Sequence, residues 1–112
     1  MSSKLKQNLP LLRILQKSKV TERKAILKSA DKELLLSICE WIDNILQGNV
    51  KLKPEHLRKL KRHASILRKL QNRQLGIKKR RNILIQQGGF LPALLAPIVS
   101  GLAGTLLSNL IG

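Results

Sequence analysis

The chain has 112 residues and a net charge of +16, from 22 Lys and Arg against 6 Asp and Glu, which leaves room for one small domain and an appendage. So large a charge exceeds the magnitude of about 2 to 8 that solubility asks of a small domain, and implies an anionic partner such as nucleic acid or anionic lipid. The single cysteine, Cys39, rules out an internal disulfide and fits a reducing compartment, while one Trp, one Phe and no Tyr argue against an aromatic platform for stacking single-stranded bases.

Residues 1–7 read as a basic leader, and Lys4, Lys6, Arg13 and Lys17 interrupt every apolar run before it reaches signal-peptide length, so no secretory signal is read. Asn8-Leu9-Pro10 resembles a helix start, because a proline in the first turn lacks only an N–H that would be unpaired anyway. A first helix then runs to Lys17. Thr21 is placed to cap a second over residues 22–29, with Glu22 against its N-terminal dipole, and Asp31 to cap a third over residues 32–47. In that third helix Leu35, Ile38, Ile42, Ile45 and Leu46 recur at three- and four-residue steps, Cys39 and Trp41 read as core packing, and Gly48 supplies the stop. Pro54 and Glu55 open a fourth helix, with Leu57, Leu60, Ala64, Leu67 and Leu70 on one face.

These elements predict an all-α fold: a small four-helix domain over residues 8–70, a basic connector over 71–89, and a hydrophobic C-terminal helix within 90–112. The connector turns helical at Ile77 and ends at Gly88-Gly89, a pair that reads as a hinge.

From His56 to Arg81 the chain carries eleven cations and no acid: Arg58, Lys59, Lys61, Arg62, Arg68, Lys69, Arg73, Lys78, Lys79, Arg80 and Arg81. Such a run is either a solvated helix face or a surface for polyanions, and its density favours duplex DNA held through phosphates, with binding that weakens steeply as salt rises. Base-specific readout is not indicated, and a helix-turn-helix fails because the third helix is too apolar to enter a groove. His56 and His63, seven apart, read as extra phosphate contacts; with Cys39 alone to help they are too few for a zinc site. The absence of a Gly-rich phosphate loop, paired carboxylates or a Ser/His/Asp set points to no enzyme and no cofactor.

No charge follows Arg81. The stretch from Phe90 to Ile111, as a helix rising about 1.5 Å per residue, reaches roughly 33 Å, enough to cross a hydrocarbon core of about 30 Å. Phe90, Leu91, Leu94, Leu95, Ile98, Leu102, Leu106 and Leu110 form its apolar contact surface, and Ala96, Ser100, Gly104 and Ser108 recur every fourth residue as a small-residue row suited to self-association. Three readings stand side by side: a membrane span, an in-plane amphipathic helix, and a helix buried in its own domain or in an assembly. Pro97 would kink such a helix or delay its start, and the cations at Lys78 to Arg81 would hold anionic lipid beside it.

Asn82-Ile83-Leu84-Ile85 followed by Gln86-Gln87-Gly88-Gly89-Phe90-Leu91-Pro92, with the Gly48-Asn49-Val50 loop and the basic helix before it, resembles the core-protein-X-like virion proteins of adintoviruses, relatives of the Polinton (Maverick) elements with adenovirus-like structural genes. The likeness covers about residues 8–97. It implies a minor virion component associated with packaged DNA and with the inner capsid or a membrane. It also implies that Gly88-Gly89 resembles a site at which a maturation cysteine protease cuts, freeing tail from body. A tail-anchored or membrane-permeabilising protein whose cations bind lipid headgroups is the rival reading.

Overall fold

The computed structural model describes residues 3–100, all helices and turns with no strand among them. Seven α-helices follow one another: α1 (Ser3–Lys17), α2 (Val20–Ser29), α3 (Lys32–Leu46), α4 (Pro54–Arg62), α5 (Ala64–Gln71), α6 (Ile77–Gln87) and α7 (Leu91–Ser100), with a 3-10 turn, Gly88–Phe90, before the last.

The first helix begins earlier than its sequence suggests. Leu5, Leu12 and Leu15 are wholly buried and Leu9 packs beside them, a stripe that faces α3 and α7 and carries the helix through residues 3–7. Pro10 therefore lies inside the helix, on its exposed side. A proline there costs about 3 kcal/mol, and burying leucines at about 1.5–3 kcal/mol each offsets it. Ser18 Oγ closes the helix end by donating to Ile14 O at 2.6 Å.

Lys19, not Thr21, precedes the first turn of α2, and Glu22 reaches back to accept from its backbone N–H at 3.0 Å. The α3 start is as the sequence predicts: Asp31 Oδ1 accepts from Leu34 N–H at 2.8 Å. Gly48 follows the helix end with φ +78, a conformation that favours glycine over residues carrying a Cβ.

The predicted fourth helix is two helices. His63, with φ −108 and ψ 20, interrupts the run, and its N–H bonds back three residues to Leu60 O at 3.0 Å. The break lets α4 lean on α7 while α5 leans on α3 and α6. The His63 ring meets Phe90 with centroids 5.8 Å apart.

The largest departure from the expected organisation is at the C-terminal end. Phe90, Leu91, Leu94 and Leu95 are fully buried and Ile98 is 2 % exposed, and they share one core with Leu5, Leu35, Trp41 and Leu67. Neither the boundary expected at Leu70 nor the one at Gly88-Gly89 divides that core. Trp41 Nε1 donates to Leu94 O at 2.7 Å and Gln16 Nε2 to Pro92 O at 3.4 Å, so α7 is tied to both α3 and α1. The physical reason lies on α1 and α3, whose apolar stripes are wider than α2, α4 and α5 can cover. The radius of gyration, 13.0 Å, is that of a compact unit of about 100 residues. Leu102, Leu106 and Leu110, and the rest of the stretch after Ser100, lie outside the described residues.

Candidate nucleic-acid interface

Helices α4, α5 and α6 carry the cations because their sequence leaves only a narrow apolar stripe for the core. On α4 and α5 Leu60, Leu67 and Leu70 are buried, and Arg58, Lys59, Lys61, Arg62, Arg68 and Lys69 stand exposed around them. Arg73 is exposed in the loop to α6, and Lys78 and Lys79 are exposed in the first turn of α6. That turn has no acidic residue. Two lysines thus add to the positive end of the helix dipole, an arrangement that an anion would relieve.

Two of these cations meet across a groove. Lys69 of α5 and Lys79 of α6 line a cleft of about 420 Å³ with Asn72 and Asn82, whose amides add hydrogen-bond capacity, and with the apolar side chains of Leu75 and Ile83. The loop that spaces the two helices is held by its own bonds, Gln74 N–H to Asn72 Oδ1 and Leu75 N–H to Asn72 O, both at 3.0 Å.

Three residues expected at the interface also make contacts within the fold. Arg80 is buried, at 8 % exposure: its Nη2 donates to Asn72 O at 2.8 Å, fixing the α5–α6 loop, and its Nε has no protein partner. Arg81 is half-buried and donates to Lys28 O at 2.9 Å, joining α6 to the end of α2. His63, half-buried against Phe90, is a packing residue at the helix break and not a free phosphate contact. Of the three only Arg80 faces inward, which a run of consecutive basic letters does not disclose.

The fold also recruits cations from the first half of the chain. Because α2 packs on α6, Lys28 is held beside Arg81, and Lys32 of α3 lines a broad groove of about 620 Å³ with Arg73 and Arg80, a groove of mixed charge because Glu40 and Asp43 line it too. Lys24 and Lys28, four apart on α2 and both exposed, carry the only sequence signal that would have added this helix to the surface. Cys39 lies at the floor of the same groove. Burial raises its thiol pKa, the Arg80 guanidinium hydrogen-bonded to it pulls the other way, and burial prevails.

Among the described residues, no group of three or more His, Cys, Asp or Glu comes together to hold a metal, and no helix is long and apolar enough to cross a membrane. Comparison with known protein families, with curated proteins and with solved structures finds no match for the chain.

Proposed function

We propose that this is a non-enzymatic basic protein of virion or core type that holds duplex DNA through its phosphates. The observation that carries the reading is the lobe of α4, α5 and α6, where nine cations from Arg58 to Lys79 stand exposed and no carboxylate occurs between His56 and Arg81. Lys and Arg without an accompanying set of amide or aromatic readers suit backbone contact without base readout. The resemblance at residues 82–92 supplies the virion part of the proposal, with the apolar stretch beyond α7 available to capsid or membrane.

Binding of the full chain to a random duplex of about 30 base pairs, followed by fluorescence anisotropy across a salt series, tests it. With about 6 to 10 phosphate contacts the affinity falls by about 10³ to 10⁵ between 50 and 200 mM salt. Affinity that ignores salt, or no binding at low salt, defeats the proposal.

The rival, a tail-anchored or membrane-permeabilising protein, draws its support from the uncharged stretch after Arg81. It requires the buried face of α7 to leave the core. Flotation with phosphatidylglycerol vesicles that is abolished when residues 101–112 are removed would favour it over DNA.

A further inference from the structure

One surface of the cationic lobe is unsuited to phosphates. Between the C-terminal end of α3 and the common face of α4 and α5 lies an apolar groove of about 380 Å³, with Leu60, Ala64 and Leu67 along its floor and Leu46 and Leu57 on its rim. Both rim leucines are largely open to solvent, at 47 % and 42 %. Lys61 and Arg68, seven apart on the same face, also border it. Phosphate oxygens gain nothing from leucine, so this groove is not explained by the proposed DNA contacts.

We infer that the groove docks an acidic amphipathic helix of a partner protein. The charge decides the occupant. The charged residues that line the groove are Lys61 and Arg68, and the nearby Asp43 carboxylate is engaged by Gln71 at 3.0 Å, so a basic helix would be repelled, and a second copy of this chain would set +16 against +16. A helix with apolar anchors at three- and four-residue steps meets the leucines, while carboxylates on its flanks meet Lys61 and Arg68.

The test uses the full chain at physiological salt and a labelled peptide of about 16 residues with leucines at helical spacing and glutamates on both flanks. The ordered peptide binds at least about tenfold more tightly than a scrambled peptide of the same composition, and Leu57→Asp removes that preference. The double variant Lys61→Glu/Arg68→Glu, at two exposed positions, removes it as well and guards against misfolding of the first. Leu57→Gln, which leaves the charge beside Arg58 and Lys59 unchanged, also removes the preference while its duplex DNA affinity stays within about twofold of the parent, which separates this inference from the phosphate reading. Equal binding of the scrambled peptide, an ordered-peptide preference that survives Leu57→Asp, or Leu57-dependent binding found only with phosphatidylglycerol vesicles overturns it.

Discussion

Trp41 in α3 donates its indole N–H to the carbonyl of Leu94 in α7 at 2.7 Å, with both side chains wholly buried. The bond joins residues 53 apart in the chain, and it gives the one tryptophan a role beyond filling space. Trp41→Phe keeps most of the apolar packing and leaves Leu94 O its place in the α7 helical ladder, but loses the bond between the two helices, at a cost of about 0.5–1.5 kcal/mol. Urea denaturation followed by circular dichroism should show a lower midpoint with an unchanged slope. In the parent chain the emission of Trp41 reports directly on whether α7 is seated, so it should shift to the red when α7 is released.

The basic residues divide into two classes with opposite signatures. Lys69→Ala/Lys79→Ala removes two exposed ammonium groups from one groove, and should lower the slope of log affinity against log salt by about 0.9 for each phosphate no longer neutralised, with melting unchanged. Arg80→Ala should do the reverse. It abolishes the bond to Asn72 O and opens a space under the α5–α6 loop, so thermal stability falls by about 1–3 kcal/mol while the salt slope holds.

Much of the fold was legible because its signals were local. Asp31 and Gly48 bound α3 by cap chemistry that acts within a few residues, and the stripe from Leu57 to Leu70 repeats within its own helices. What escaped were relationships between distant segments. Leu5 reads as part of a frayed leader until α7 is there to bury it, and Phe90 to Ile98 read as a tail because nothing in their own composition names α1 and α3 as partners. The cationic surface was likewise visible as a run of letters, but the inward aim of Arg80 depends on which side of α6 meets the loop at Asn72.

Cleavage after Gly89 is testable as a folding-dependent event. Gly88 is buried, with an added Cβ only 3.3 Å from Leu91 Cδ1, and Phe90 and Leu91 are wholly inside. A protease that takes an extended segment cannot engage this turn while α7 is docked. Limited proteolysis should leave the bond between Gly89 and Phe90 intact in the native chain, and cut it once Trp41→Phe or mild urea loosens α7, as read by mass spectrometry.

The thiol of Cys39 should make stability fall at alkaline pH. Its folded pKa is raised chiefly by burial, so the native state keeps a proton that the unfolded chain releases near pH 8.5. Its contribution is therefore complete below about pH 8.5 and is lost as pH climbs from there toward the folded value. Denaturation midpoints between pH 8 and 10 should decline less for Cys39→Ala than for the parent, and iodoacetamide should modify the native thiol far more slowly than the unfolded one.

The bond from Gln16 to Pro92 spans 76 positions, which sets a timetable for biosynthesis. At a ribosomal rate of about 5–20 residues per second, α1 leaves the exit tunnel about 4 to 15 s before the segment that covers it. Through that interval the α1 leucines have α3 beside them but lack α7, which covers the rest of their stripe. Ribosome-bound chains stalled before α7 has emerged should therefore be cut within α1 by added protease faster than the full chain, because α7 completes the cover of α1 among the described helices.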